Sequence, residues 1–441
     1  MSDRIKHILQ LSLPIVLSMI GIMFMQFVDL IFLARYSSVA TAGVGAASSI
    51  FILFFMFCVG SISGLDAYCS QYFGANNFSK AQHYLSQSVW IGFLFSIPFL
   101  LLLICFGNQL IDSLNLVNEI LPATKISLFY HALGLPFLIL FQSLKNFFQS
   151  FEKIKPVLIS LFLANILNAI LNYILIFGHF GFPELGVEGS SIATLASRVL
   201  LFFTLFFYFK YCFIKKVILN FFPHHFEITT LKNLLKIGFP ASFQLMGEVG
   251  LFAATSILAS KLSAIESAAH QIVLNIASLS FMVPLGLSIA GSVLVGQNLG
   301  SNKPLEARKV GNIIILLSIF VMSLSCIIFF IFPHGLLFLY TNNREIIKVA
   351  ITPLLLATLF QLFDGTQVAL VGLLRGAGET KKPAILNLIG YWIVALPIAY
   401  YLCFELNYRL SGLWIGLAIG LAISAISLLV IWIKLPLKKI I

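Results

Sequence analysis

The sequence predicts an all-α membrane protein in which twelve transmembrane helices form two six-helix lobes, related to each other as parallel repeats. Three observations predict this fold: an apolar composition, twelve long apolar runs and an internal repeat. Of the 441 residues, 60% are hydrophobic and 10% are charged, and the mean hydropathy is +1.02. Soluble domains contain about 25% charged residues, so lipid must cover much of this chain. The composition excludes a soluble enzyme, a disordered chain and a disulfide scaffold.

Twelve apolar runs are long enough to cross a bilayer, which takes about 20 helical residues. Several runs exceed that length, so tilt or protruding ends are expected. Prolines inside the runs, among them Pro14, Pro240 and Pro397, predict helix kinks. The predicted spans are residues 8–34, 43–73, 84–106, 121–148, 156–178, 187–211, 233–260, 268–299, 309–332, 346–375, 383–404 and 411–433.

The chain contains two copies of a six-span unit. A shift of 226 residues aligns residues 14–81 with the second half without a gap. Pro14 then falls on Pro240 and Gln71 on Gln297, matches that a shared apolar composition does not readily explain. Six is an even number, so both copies enter the bilayer from the same side, as parallel repeats do. The predicted domains are an amino-terminal lobe of residues 1–211, a cytoplasmic linker of residues 212–232 and a carboxyl-terminal lobe of residues 233–441.

Lys and Arg are distributed unevenly between the two sides of the predicted helices. With the amino terminus placed inside, the inner loops hold 19 of the 27 and the outer loops hold 4. The positive-inside rule then places both termini in the cytoplasm, and we expect a multi-pass protein of the plasma (inner) membrane. The net charge of +11 therefore reflects topology. Without a basic patch interleaved with aromatic residues, no nucleic-acid partner is expected.

Acidic residues inside the spans carry the functional signal, because a charge at mid-membrane costs at least a few kcal/mol. Three of these acids, Asp29, Glu248 and Asp364, follow a glutamine three or four residues earlier on the same helix face. Such polar stripes face the helix bundle or a cavity and not lipid. The supporting polar residues are Gln26, Gln244 and Gln361.

Asp29 shares its depth with polar residues of two other spans. At about 1.5 Å per residue, Asp29, Asn172 and Thr194 each lie roughly 9–10 Å from the outer end of their span. Asn168 lies roughly one turn deeper on the same span as Asn172. One carboxylate, two amides and one hydroxyl are hard oxygen ligands, which suit a small hard cation or a proton. The alternative is a hydrogen-bonded cluster that only packs helices.

Glu248 and Asp364 lie nearer the midplane of the second copy. Two carboxylates with no basic residue beside them in sequence favour a cation, organic or inorganic, and the alternative is a proton-sharing pair that stabilises packing. Asp66 lies about two turns from the inner side, where Arg198 of span six could pair with it.

Of the eight histidines, only His131 lies well inside a run, and no second metal ligand accompanies it. A membrane-embedded enzyme is therefore not expected.

Five segments make the chain similar to the multidrug and toxic compound extrusion (MATE) family over nearly its whole length. The most specific is F-D-G-T-Q-V-A-L-V-G-L-L-R-G-A-G-E-T-K-K-P, which contains Asp364. The others are Q-F-V-D-L-I-F-L-A-R around Asp29, G-L-D-A-Y-C-S-Q-Y-F-G-A-N-N in span two, L-G-V-E-G-S-S-I-A-T at the start of span six and G-F-P-A-S-F-Q-L-M-G-E around Glu248.

The resemblance implies the MATE fold of the MOP superfamily and a cation-coupled multidrug antiporter. Members exchange cytoplasmic organic cations and amphipathic drugs for external sodium or protons, by alternating access between two lobes. No cofactor beyond the coupling ion is expected, and the chain is expected to be a monomer. Matched by motif position, the cation-binding cluster of the amino-terminal lobe comprises Asp29, Asn168, Asn172 and Thr194. The acidic pair of the carboxyl-terminal lobe comprises Glu248 and Asp364.

Two positions depart from the family pattern. Some members carry a second carboxylate where Asn172 stands, and Phe360 replaces an aromatic hydroxyl one turn before the acid of span ten. The subfamily and the coupling ion, Na⁺ or H⁺, therefore stay open. The competing function is a lipid-linked glycan or lipid flippase of the same superfamily. That function favours basic residues in the cavity and often two extra spans, and the sequence indicates neither.

Overall fold

The computed structural model describes residues 2–114, 116–213, 221 and 226–441, and this part of the chain contains helices and no strand. Twelve of its helices are long and apolar enough to cross a membrane, which confirms the predicted number. They are α1 Asp3–Tyr36, α2 Ser38–Gly74, α3 Phe78–Ser113, α4 Leu121–Ser150, α5 Lys155–Phe177, α6 Val187–Tyr211, α7 Ile228–Ser260, α8 Ala264–Gly300, α9 Pro304–Ile331, α10 Arg344–Gly376, α11 Lys381–Glu405 and α12 Arg409–Lys434.

The helices extend beyond the predicted apolar runs, most clearly at their amino-terminal ends. α3 begins at Phe78 and not at residue 84, and the Asn77 side chain caps it by accepting the Lys80 N–H at 3.2 Å. α7 begins at Ile228 and not at residue 233. A capped polar turn is stable in water, whereas a hydropathy pattern detects only the part of a helix that lipid covers.

Two spans contain irregular turns that were not predicted. α2 is interrupted at Ser63, between the helical segments Ser38–Ile62 and Gly64–Gly74. α11 contains two π-helical segments, Ile389–Ala395 and Tyr401–Glu405. Because π-helical turns occur frequently at functional sites, the residues of the first segment become candidates for a functional role.

The described residues group into two compact units. In the amino-terminal unit, α6 packs against α4 and α5, and α4 also contacts α2 and α3. In the carboxyl-terminal unit, α10 is central and packs against α8, α9 and α12. The amino-terminal unit comprises Leu17–Leu65 and Asn77–Gly238, and the carboxyl-terminal unit comprises Met1–Val16, Asp66–Asn76 and Phe239–Ile441.

The predicted linker falls mainly on residues whose structure is not described. Residues 214–220 and 222–225, among them Lys215 and His224, lie outside the described part of the chain. The last residues assigned to the linker form the first turn of α7, which begins at Ile228. The proposed lobe boundaries at residues 211 and 233 stay a prediction.

Small residues let α8 and α10 approach closely. α10 presents Gly372 and Gly376, one turn apart, to two serines of α8. A Cβ atom at Gly372 would overlap the Ser288 carbonyl oxygen, and a Cβ atom at Gly376 would overlap that of Ser292. The Ser288 hydroxyl also donates to the Val368 carbonyl oxygen at 2.6 Å. In lipid, close backbone contact and interhelical hydrogen bonds drive helix association, so this contact holds the central helix of the unit in place.

Replacing Gly372 with Ala should destabilise the protein by about 1–3 kcal/mol, because the added methyl group forces two helix backbones apart. The measurement is the midpoint of thermal unfolding in detergent micelles, followed by tryptophan fluorescence. Gly335→Ala is the matched control, since a Cβ atom at Gly335 meets no heavy atom of the described residues within 4 Å. Equal midpoints for the two variants would contradict the importance of the close contact.

Candidate functional site

Four side chains from three helices meet at Asp29 of α1. The Asp29 Oδ1 atom accepts hydrogen bonds from Nδ2 of Asn168 at 2.9 Å and from Nδ2 of Asn172 at 2.6 Å. Its Oδ2 atom accepts from the Thr194 hydroxyl of α6 at 2.9 Å. Both asparagines, on α5, are completely buried. The structure thus brings together the four residues that share a predicted depth, while their role as cation ligands stays a prediction.

The asparagine stripe of α5 makes two kinds of contact with α1. Asn168 and Asn172 are one turn apart and share a helix face, and Asn172 Nδ2 also donates to Asn168 Oδ1 at 3.2 Å. Asn165 instead donates to the Gly21 carbonyl oxygen of α1 at 3.0 Å. Gly21 lies about two turns before Asp29. Hydrogen bonds at two levels therefore set the register between α1 and α5, and with it the position of the carboxylate.

The Asp29 cluster has the chemistry of a small-cation site. Three hydrogen-bond donors stabilise the negatively charged carboxylate. The Asn172 Oδ1 atom is buried and accepts no hydrogen bond from the described residues, which is rare for a buried polar atom. Rotation of this amide would turn its oxygen toward a cation beside Asp29, and amide and carboxylate oxygens suit hard cations. The same oxygen could accept a hydrogen bond from a protonated Asp29.

A cavity of about 350 Å³ lies beside Asp29 in the amino-terminal unit. This volume falls within the range of small-molecule sites, about 300–1,000 Å³. Gln26, one of the predicted supporting residues, lies on the wall with Asp29 and Thr194. The wall also carries three phenylalanines and two basic side chains: Phe51, Phe55, Phe141, His131 and Arg198. The carboxylate therefore faces a space large enough for a small organic molecule.

The predicted ion pair between Asp66 and Arg198 is wrong. The Asp66 carboxylate lies 3.7 Å from the Arg375 guanidinium, within the carboxyl-terminal unit. Arg198 lies in the amino-terminal unit, where it donates to the His131 carbonyl oxygen at 3.2 Å and stands 4.9 Å over the Phe51 ring. Depth along a span does not tell which neighbour a side chain faces.

The expectation that basic residues are lacking in the cavities is also wrong, since Arg198 lines the cavity beside Asp29.

Glu248 of α7 and Asp364 of α10 line a second cavity, of about 320 Å³, in the carboxyl-terminal unit. The two carboxylates interact electrostatically, and Asp364 is 5% exposed. Phe252 and Phe360 form an aromatic part of the wall, and the described lining residues include no basic side chain. The lining of this cavity is therefore acidic and aromatic, and the two acids of the predicted pair lie on the same wall.

Two residues that act on this acidic pair were not predicted. Tyr391, buried on the first π-helical segment of α11, interacts electrostatically with both Glu248 and Asp364. Arg375, which pairs with Asp66, also interacts with Glu248. A single tyrosine in an apolar run and an arginine at a helix end have no spacing that would indicate this role, so the tertiary structure alone reveals it.

The three predicted supporting glutamines take different places. Gln26 lines the cavity beside Asp29. Gln361 donates through Nε2 to the Ala277 carbonyl oxygen of α8 at 3.0 Å, so it joins two helices near Asp364. Gln244 is buried on α7, one turn before Glu248. Their contribution to binding stays a prediction, and the geometry gives Gln361 a packing contact.

His270 is also buried, although only His131 was predicted to lie well inside a span. It is completely buried on α8, and neither ring nitrogen has a hydrogen-bond partner among the described residues. Its ring centroid lies 5.8 Å from that of Trp414. The apolar run predicted a helix from residue 268, but α8 begins at Ala264. The error in the helix boundary therefore hid a histidine in the core.

Comparison with known proteins agrees with the fold and the repeat. The MatE family model matches residues 14–174 and again residues 240–401. The second match begins 226 residues after the first, which is the offset of the predicted repeat.

Two bacterial relatives are each named "Probable multidrug resistance protein NorM". The relative from Mannheimia succiniciproducens is 31% identical over 96% of this chain and 92% of its own length. The relative from Pasteurella multocida is 32% identical over 96% of this chain and 93% of its own length.

The fold is shared with a solved transporter. The crystal structure of the eukaryotic MATE transporter AtDTX14 superposes with a TM-score of 0.88 at 22% identity, covering 99% of this chain and 97% of that one. Together with the double family match, this defines a multi-pass membrane transporter. The chain belongs to the MATE family.

Proposed function

We propose that this protein is a cation-coupled multidrug antiporter, which exports organic cations and amphipathic toxic compounds in exchange for Na⁺ or H⁺. One observation carries the proposal: each compact unit contains a cavity with carboxylate on an apolar and aromatic wall. Carboxylates inside a membrane protein mark ion and substrate pathways. The names of the two bacterial relatives support drugs as the transported solutes.

Asp29 is the proposed site of the coupling ion. Three hydrogen-bond donors stabilise its ionised carboxylate. An arriving Na⁺ or proton neutralises the charge and turns the Asn172 amide. If the bound ion lowers the affinity of the protein for the solute, the solute lowers the affinity for the ion by the same factor, even when the two bind at separate sites. Such reciprocal displacement is what exchange of the two requires.

Glu248 and Asp364 are the proposed anchor for the cationic part of the solute. Their charges attract a cation into a space lined by Phe252 and Phe360, whose ring faces attract cations as well. Coulombic and ring-face attraction need little fixed geometry. A wall of this kind therefore suits many organic cations of different shape, as a multidrug exporter requires.

The proposed setting is the plasma (inner) membrane, with both termini in the cytoplasm. The 19 to 4 distribution of Lys and Arg between the loops supports this orientation. In that orientation, alternating access of the solute-binding cavity to the two sides exports a cytoplasmic solute when an external ion enters. We propose that a monomer performs the exchange.

Efflux from proteoliposomes tests the proposal. Liposomes that contain the purified protein are loaded with ethidium, a fluorescent organic cation. One sample receives a Na⁺ gradient at equal pH, a second receives a pH gradient at equal Na⁺, and a third receives neither. We expect one gradient to accelerate ethidium release over the third sample, which identifies the coupling ion. Protein-free liposomes are the control, and the proposal fails if neither gradient moves ethidium through the protein.

A further inference from the structure

The chain leaves the axis of α12 abruptly at Leu435. Pro436 lacks the N–H group that a further helical turn would need, and Leu435 has an extended backbone conformation with ψ of 122°. The Arg308 guanidinium of α9 donates to the carbonyl oxygens of Trp432 and Leu435. The end of α12 is therefore fixed to α9, and residues 435–441 follow it without forming a helix.

Gln71 of α2 joins residues 435–441 to α10. Its side chain is completely buried, and both ends of its amide form hydrogen bonds. The Oε1 atom accepts from the Ile440 backbone N–H at 2.8 Å, and the Nε2 atom donates to the Gly376 carbonyl oxygen at 3.2 Å. The Ile440 side chain also packs against the turn after α10, since a Cβ atom at Gly378 would lie 2.7 Å from its Cγ2 atom. Without residues 435–441, a buried amide oxygen would lose this donor, which is costly.

A second contact ties the same part of α2 to α10. Asp66 precedes Gln71 on the helical segment Gly64–Gly74, about 7.5 Å away along the helix axis. Its carboxylate lies 3.7 Å from the guanidinium of Arg375, near the end of α10. Because α2 is interrupted at Ser63, no continuous helix holds this segment from the amino-terminal side. Its two contacts with α10 therefore determine where the Asp66 carboxylate lies.

The Arg375 guanidinium lies between two acidic side chains. It pairs with Asp66 and also interacts electrostatically with Glu248, which lines the acidic cavity. The Nε atom of Arg375 is buried and donates to no residue in the described part of the chain. The head group is therefore held less firmly than one whose donors are all bonded. A guanidinium that moved toward Glu248 would compete with a cationic solute for that side chain.

We propose that residues 435–441 form a strap, which holds the Gly64–Gly74 segment of α2 against the end of α10 through Gln71 and so keeps Arg375 on Asp66 and away from Glu248. The strap thereby favours the binding of a cation in the acidic cavity. This effect on the solute rests on the proposed export function, whereas the hold on α2 does not depend on it.

Hydrogen–deuterium exchange followed by mass spectrometry tests the hold on α2. A variant that lacks residues 436–441 keeps Leu435, whose carbonyl oxygen accepts from Arg308. Over the time range in which Gly64–Gly74 exchanges in the wild-type protein, we expect this segment to exchange about tenfold faster in the variant. Exchange in α4 should not change, because α4 belongs to the other unit.

Two full-length variants refine this comparison. Ile440→Pro removes the N–H group that Gln71 accepts, so it should accelerate exchange in the same segment. The double variant Lys438→Gln/Lys439→Gln is the matched control, since it changes two exposed side chains of the strap and keeps its backbone. It should exchange as the wild-type protein does. Wild-type exchange of Gly64–Gly74 in both the deletion variant and Ile440→Pro would overturn the inference.

Ethidium binding, measured by fluorescence anisotropy, tests the consequence for Arg375. Asp66→Asn removes the carboxylate that holds the guanidinium, so we expect ethidium to bind about tenfold more weakly, as it should in the deletion variant. The double variant Asp66→Asn/Arg375→Gln also removes the competing guanidinium and should restore the wild-type affinity. A double variant as weak as Asp66→Asn, or wild-type affinity in both Asp66→Asn and the deletion variant, would overturn the inference. A wild-type protein that binds no ethidium would contradict the proposed export function, and the exchange comparison would then decide on the strap by itself.

Discussion

Asp364→Asn should abolish gradient-driven ethidium efflux and leave the protein folded. The replacement keeps the size of the side chain and removes one of the two carboxyl groups that line the cavity. Because Asp364 is 5% exposed, water does not compensate for the lost charge. A bound cation and a buried carboxylate form a pair of opposite charges, and removing one partner of such a pair costs about 2–5 kcal/mol. The loss of the Asp364 carboxylate should therefore weaken the binding of a cation by at least about thirtyfold. Ethidium efflux measures the loss of transport, and thermal unfolding checks the fold.

Asp112→Asn is the matched control for this result. The Asp112 side chain is 54% exposed and lies 2.7 Å from the Lys125 ammonium group. Exposed ion pairs of this kind contribute about 0–1 kcal/mol, so efflux should continue at the wild-type rate. Wild-type efflux by Asp364→Asn would remove the acidic pair from the transport cycle.

Asp29→Asn should uncouple efflux from the ion gradient. The amide has no charge to attract a cation, and it places an NH₂ group among the three donors that face the carboxylate. The affinity for the coupling ion should therefore fall by at least about thirtyfold, as for other buried charge partners. The measurement compares ethidium release with and without the effective gradient. In the variant, the two rates should be equal.

Thr194 supplies graded controls for the Asp29 cluster. Thr194→Ser keeps the hydroxyl that donates to Asp29 Oδ2 at 2.9 Å, and Thr194→Val removes it with little change of shape. A hydrogen bond to a charged group contributes about 1.5–3 kcal/mol. The valine variant should therefore respond to the gradient differently from wild type, while the serine variant stays close to it. An unchanged gradient response in Asp29→Asn would refute the assignment of Asp29 as the ion site.

The twelve spans could be predicted from the sequence because the lipid bilayer sets the same requirement for length and apolar composition in each segment separately. A segment must be about 20 residues long and apolar whatever its neighbours are. Helix ends were less accurate, since caps such as Asn77 extend a helix beyond its apolar part. The π-helical turn at Ile389–Ala395 was not predicted at all, because hydropathy does not distinguish a π-helical turn from an α-helical one.

The Asp29 cluster could be predicted because its members share one coordinate, the depth along parallel or antiparallel helices. Asn168 and Asn172 share a face by helical periodicity, and counting from the span ends placed them level with Asp29. The same count led to an error for Arg198. Asp66 was assigned as its partner, but Asp66 contacts Arg375 in the other unit.

Composition, periodicity and the repeat were sufficient to establish the class of protein, the number of spans and the acids that lie inside them, because each of these depends on a single helix and its solvent. Three-dimensional packing was needed to assign partners: Arg198 to the cavity wall, Tyr391 to the acidic pair and Arg375 to Asp66. The direction in which a side chain points depends on the rotation of its helix about its own axis. All neighbouring helices determine that rotation together, so it is not encoded in any one segment.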